Sequence, residues 1–156
     1  NLSKSDFTAI RKKVAARKLK RKAKAKNLWG KTRALSTSEM KKKLWKAVSL
    51  YVRLRDKKAN GGLCMICKIK PIEICYHLVP SNDGSATRYD LENLVAACSP
   101  CNMGERFHRF LYAQKHERIF GERYLRMVEK SKTVIQYKRH DYEAMYREIK
   151  SRLEAM

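Results

Sequence analysis

The chain has 156 residues, of which 37 are Lys or Arg and 15 are Asp or Glu, a formal net charge of +22. Apolar residues make up 44 %, so the length suits one modest domain with a small core plus extensions. No apolar run approaches a membrane span. No apolar stretch follows the basic N-terminus as in a signal peptide. The charge argues against an enzyme for small neutral metabolites and for a polyanionic partner, DNA or RNA before an acidic membrane surface.

Residues 1–35 carry 13 basic groups and one acid, whereas residues 64–110 carry five of each. The first segment reads as a basic arm. Phe7, Ile10 and Val14 share a helical face, but from Arg17 to Lys26 basic residues alternate with alanine, Leu19 excepted, and leave no stripe to bury. Alone, such an arm is disordered or a lone helix. Its Arg11, Lys12, Lys13, Arg17, Lys18, Lys20, Arg21, Lys22, Lys24 and Lys26 read as phosphate contacts, or as a solvated tail.

Residues 36–59 predict a strong helix. Ser36 and Glu39 form a capping box, and Met40, Leu44, Ala47, Val48 and Tyr51 recur at helical spacing. Asn60-Gly61-Gly62 stops it. Trp45 lies off the stripe and is expected to pack on another element. From residue 64 the pattern turns to short strands, Ile72–Val79 and Asn93–Ala97, joined by a turn-rich stretch over 80–85. A helix is expected to open near Pro100, and further helices over 121–130 and 139–155. In the last, Tyr142, Met145, Tyr146, Ile149 and Leu153 form a stripe that reads as core.

The neutral middle holds all five cysteines and all three prolines. Cys64-Met-Ile-Cys67 and Cys98-Ser-Pro-Cys101 are two C-x2-C pairs. Each pair lets two thiolates reach one ion from a tight turn, and four complete the tetrahedron that structural zinc prefers. Disulfides are the alternative, disfavoured without a secretory setting. Cys75 is left over as a small packed residue. Between the pairs lie His77 and Asn93, and Asn102 follows the last cysteine. A His on one strand, an Asn on the returning strand and a helix opening with a further ligand make up the ββα-metal, or HNH-type, nuclease pattern. The fold class expected is therefore α+β: a small zinc-stabilised ββα-metal core flanked by helices and a basic arm. The chemistry suits phosphodiester hydrolysis. His77 would act as general base on water, a hard cation would stabilise the phosphorane and leaving oxygen, and an Asn would orient the His by hydrogen bonding.

Over residues 36–130 the sequence resembles the phage recombination-nuclease family of lambda NinG. The resemblance rests on Val52-Arg53-Leu54-Arg55-Asp56, on Cys64-x2-Cys67 with the later His77, on Arg88-Tyr89-Asp90-Leu91-Glu92-Asn93, on Cys98-x2-Cys101-Asn102, and on a following helix that ends near Gly121. The Cys-x2-Cys-Asn junction is also similar to endonuclease VII of the T-even phages, which resolves branched DNA. The resemblance implies an endonuclease on branched or recombining DNA, encoded by a phage or prophage and acting in the bacterial cytoplasm. It implies a structural Zn²⁺ and a catalytic Mg²⁺ or Mn²⁺, with His77 and Asn93 catalytic and Asn102 a metal ligand. Beyond the stretch that the resemblance covers, residues 131–156 are expected as a C-terminal helix. Resolving a four-way junction needs two cuts, which a homodimer would supply.

Two departures from that pattern are visible. Tyr76, a poor ligand for a hard cation, stands where such sites place an acid or a second His. The nearest upstream acid is Glu73, which on an ideal strand shares a face with 75 and 77 and so could approach a metal. Downstream the segment is Glu105-Arg106-Phe107-His108, with Glu105 at i+3 from Asn102. Arg106, Arg109 and Lys115 are further candidate phosphate contacts. The competing reading is a catalytically inactive, zinc-stabilised nucleic-acid-binding subunit of a nucleoprotein assembly, with RNA open as partner beside DNA.

Overall fold

The computed structural model describes residues 34–82 and 85–156, together with Arg17. The chain divides after Leu35 into two units, and the second, Ser36–Met156, carries every element below. In order these are α1 (Thr37–Ala59), β1 (Ile74–His77), β2 (Leu94–Ala97), α2 (Ser99–Phe107), α3 (Arg109–Phe120), α4 (Glu122–Ser131) and α5 (Arg139–Glu154). The class is α+β, mostly helical, with one two-stranded antiparallel sheet.

The start and stop signals of α1 act as the sequence predicts. Ser36 Oγ accepts from the Glu39 amide at 3.2 Å and Glu39 Oε2 from the Ser36 amide at 2.8 Å. At the other end Gly61 and Gly62 adopt φ of 59° and 82°, a left-handed conformation that costs glycine little. The buried stripe runs Met40, Leu44, Val48, Val52, Asp56, one residue in four. Tyr51 is only half-buried, and Val52 takes the expected place. The i+4 ridge holds this line because α1 packs on the hairpin and on α5. The α5 stripe is core as expected: Tyr142 and Ile149 are buried, and Met145, Tyr146 and Leu153 half-buried. Residues 131–156 thus belong to the same unit as 36–130.

The hairpin pairs Ile74 with Ala97, Cys75 with Ala96, Tyr76 with Val95 and His77 with Leu94. It is shorter than expected, although backbone bonds from Glu73 to Ala97 (3.0 Å) and Leu78 to Asn93 (2.8 Å) extend the ladder one residue each way. Alternation splits it into two faces. Tyr76, Leu78, Val95 and Ala97 join Cys64, Ile66, Cys98 and Cys101 in one cluster. Cys75, His77 and Ala96 face α1.

The outer edge of β2 is closed. The Ala96 amide donates to Asp56 Oδ2 at 2.7 Å, and the Ala96 carbonyl accepts from the Met65 amide at 3.0 Å. An edge strand left bare would offer itself to other chains. Arg55 binds Asp56 at 2.7 Å and donates to the carbonyls of Leu91 (3.1 Å) and Leu94 (2.7 Å). The Arg55-Asp56 pair at the end of α1 therefore fixes β2.

The helix expected from Pro100 towards Gly121 is two helices. His108, at φ −134° and ψ 50°, interrupts it. The bend folds Tyr112 back over Gly104, where a Cβ would lie 2.8 Å from the tyrosine Cζ. A side chain at 104 would push the end of the Tyr112 ring aside.

Candidate metal centre and catalytic site

Four cysteines gather at one end of the hairpin. The sulfurs of Cys64, Cys67, Cys98 and Cys101 all lie within 4.8 Å of one another, and those of Cys67 and Cys98 are 3.8 Å apart. Sulfurs on one zinc at about 2.3 Å sit about 3.8 Å apart at the corners of a tetrahedron, so the set fits such an ion. The first pair sits on a knuckle. The Leu63–Pro71 bridge and the Cys64 amide to the Lys70 carbonyl (2.7 Å) close it, and the Ile66 amide points at Cys64 Sγ, 3.4 Å away. Cys98 and Cys101 bracket the first turn of α2.

The thiols respond unequally to crowding. Burial works to raise Cys67, but hydrogen bonds from the backbone of Lys70 and Ile69 and contacts with Cys64 and Cys98 bring it down to about 6. Burial pushes Cys98 and Cys101 up; neighbouring thiols add to the rise at Cys101, whereas at Cys98 the bonds with Cys101 work against it. Four thiolates this close need a cation to offset their charge, which a divalent metal supplies. Cys75 stands apart, pushed up to about 12 by burial, and behaves as a packed, inert residue. All five cysteines are free of disulfides.

On the opposite face the His77 ring stacks on Trp45, with centroids 5.2 Å apart and planes 7° from parallel. Its Nε2 lies 3.0 Å from the Arg88 carbonyl oxygen. A carbonyl only accepts, so Nε2 carries the proton. Nδ1 is then the basic nitrogen, and no described residue bonds to it. Burial, the largest influence, lowers the His77 pKa, so the ring is neutral at pH 7.

Asn93 does not bond the His77 ring directly. Fully buried, it accepts from the Val79 amide (2.8 Å) and donates to the carbonyls of Val79 (2.9 Å) and Thr87 (3.2 Å). It pins both ends of the 79–87 segment, and the next residue, Arg88, supplies the carbonyl that orients His77. The guanidinium of Arg88 lies 5.6 Å over the Trp45 ring and donates to the Ser81 carbonyl at 3.1 Å.

Tyr76 is buried, with its hydroxyl 3.2 Å from Nε2 of His116. His116 is itself 1 % exposed and also hydrogen-bonds the Leu78 backbone. Burial, above all, brings its pKa down to about 4. Rings of Tyr112, Phe120 and Tyr124 surround it at 5.7–6.2 Å. A neutral imidazole thus ties α3 to β1. Sequence reasoning gave His116 no role. The signal was present, because Tyr112, His116 and Phe120 repeat every fourth residue.

The other candidates are spread out. Glu73 precedes β1, and its Oε2 accepts from the amide (2.9 Å) and hydroxyl of Ser99. It caps α2, and those bonds hold its carboxyl below the usual range. Asn102 is half-buried in the first turn of α2, and its side chain has no partner among the described residues. Arg109 is exposed, beside a cavity of about 150 Å³ that Leu78, Pro80, His116 and Tyr124 also line. Lys115 lies 5.6 Å over the Tyr112 ring. The side chain of Arg106 lies outside the described residues, as do all the arm cations except Arg17, which is exposed. Among the described residues the four cysteines are the one group of three or more His, Cys, Asp or Glu side chains placed to share an ion. Among them, too, no helix is long and apolar enough to cross a membrane. No protein-family model, no curated protein and no solved structure matches this chain.

Proposed function

We propose that the chain is a NinG-like endonuclease that cuts branched or recombining DNA from a ββα-metal scaffold stapled by structural zinc. The observation that carries this reading is His77: neutral, oriented through Nε2 by the Arg88 carbonyl, clamped against Trp45, with Nδ1 left as base. A general base needs its lone pair free at working pH and its ring fixed. Asn93 serves this ring at one remove, by fixing the segment that leads to Arg88. The charge of +22 provides the attraction for DNA.

By the resemblance a hard cation would be held by Asn102, whose side chain no described residue engages. Mg²⁺ commonly takes few protein ligands and draws the rest from water and substrate phosphates, so Asn102 would hold it together with the bound DNA. When bound, it supplies positive charge to the phosphorane and the leaving oxygen. His77 removes a proton from the attacking water at Nδ1. Because burial lowers its pKa, the rate should hold through neutral pH and fall only as acid protonates the ring.

The test is nicking of a synthetic four-way junction beside a linear duplex, with Mg²⁺ or Mn²⁺ supplied. His77→Ala should lose roughly 10²–10⁴-fold in cleavage and keep its metal content and DNA affinity. Equal cutting by wild type and variant would remove His77 from the reaction.

The second reading, a nucleic-acid-binding subunit that does not cleave, is favoured by one observation. Tyr76, beside His77, spends its hydroxyl on His116, and Glu73 spends its carboxylate on Ser99. Wild type that binds the junction and cuts neither substrate would establish that reading.

A further inference from the structure

We propose that Phe107 and Phe110, on either side of the bend between α2 and α3, form an aromatic wedge that stacks on unpaired or unstacked bases of the bound nucleic acid. The inference rests on the nucleic-acid reading above and extends it to a surface outside the His77 site.

Four large apolar side chains lie bare within nine residues: Met103 (56 % exposed), Phe107 (75 %), Phe110 (74 %) and Leu111 (60 %). Scattered apolar residues are ordinary on a surface, but a cluster of this kind marks a contact. The bend that presents it is firm. The His108 amide bonds to the Gly104 carbonyl at 2.9 Å, the Tyr112 amide to the His108 carbonyl at 3.0 Å, and Tyr112 rests against Gly104. Two phenyl rings therefore project from a fixed corner. Such rings suit base faces, because every base offers a π-surface and stacking ignores sequence. Proteins that open or kink nucleic acid insert phenylalanines in this way.

Charge decides the occupant. Arg109 lies between the two rings in sequence and is exposed, and the half-buried Lys115 follows six residues later on α3. A second copy of the chain would bring +22 against +22, whereas a polyanion is drawn to the chain as a whole and meets Arg109 at this corner. A four-way junction or a bulge supplies what a linear duplex lacks, bases whose faces are open.

The experiment uses the full chain with three DNAs: a four-way junction and a single-nucleotide bulge, each with 2-aminopurine at the open position, and a linear duplex of the same sequence. Phe107→Ala and Phe110→Ala should each weaken junction and bulge binding by about ten-fold. Duplex affinity should stay within about two-fold, and the change in 2-aminopurine fluorescence on binding should disappear. Both positions are on the surface, so metal content and melting should not move. Phe107→Trp should retain wild-type discrimination. Ala variants that bind all three DNAs like wild type, or that weaken all three equally, would overturn the wedge while leaving nucleic-acid binding in place. Wild type that binds none of them would overturn the underlying reading. Sedimentation showing a wild-type dimer that Phe110→Ala dissolves, with DNA discrimination intact, would assign the rings to a second copy instead.

Discussion

Tyr76 and His77 are neighbours in sequence but occupy opposite faces of one hairpin, and the two faces are built from different chemistry. On the Tyr76 side four thiols, a buried imidazole and a ring of aromatics fill the space, and the Tyr76 hydroxyl meets His116. On the His77 side one helix lies across the strands, a carboxylate and two arginines tie it down, and one imidazole nitrogen is left over. The crowded face secures the fold, and the other keeps an imidazole nitrogen that no described residue bonds, which the proposed chemistry would use.

The largest expected effect strikes the crowded face. Removing metal from the four-cysteine centre, or replacing Cys64 by Ser, should forfeit on the order of 10 kcal/mol of apparent folding energy, comparable to the total stability of a small domain. Elemental analysis should find one zinc per chain, and chelation should abolish the cooperative melt. A chelated sample that melts unchanged would erase the contrast between the faces.

Next comes the tie on the other face. Asp56→Ala strands the Ala96 amide where Asp56 was 4 % exposed and leaves Arg55, whose side chain is 28 % exposed, without that partner. The cost should be about 3 kcal/mol, read as a lower denaturant midpoint. A drop below about 1 kcal/mol would mean that the edge of β2 needs no cover.

The smallest effect is a matter of pH. The His116 pKa is about 4 in the folded chain against an ordinary 6.5. The unfolded chain therefore binds a proton that the folded chain refuses. Stability from this residue is intact above about pH 6.5 and is lost as pH falls towards about 4, roughly 2 kcal/mol by pH 5. His116→Gln should flatten that part of the curve, and since the metal centre is common to both proteins, the difference between their acid limbs isolates the imidazole. Parallel limbs would show that His116 is protonated freely and does not seal the face.

What the sequence made legible follows from how local each signal is. The capping box at Ser36, the glycine stop at Gly61 and the two C-x2-C pairs are read within a few residues, and the structure places all three as expected. The hairpin register was visible only in outline, because Glu73 and Leu78 bond like strand residues while the chain is already turning. The partners of His77 were not legible. Trp45 lies 32 positions away and signalled only that it sat off its helical stripe, and Arg88 contributes a backbone carbonyl, which any residue has. His116 looked isolated because its partners Tyr76 and Leu78 come from a strand some 40 residues earlier. Asp56 read as one charge among many, since nothing in a sequence says that a carboxylate will finish the edge of a sheet.

The packing of α5 on α1 bears on how the chain is made. The Leu44 and Val48 side of α1 is covered by a helix that begins about 80 residues after α1 ends. At roughly 5–20 residues per second, a ribosome needs on the order of 4–16 s to supply it. For that interval a lysine-rich helix shows an apolar stripe to the cell. A newborn chain carries that stripe uncovered until α5 has been made.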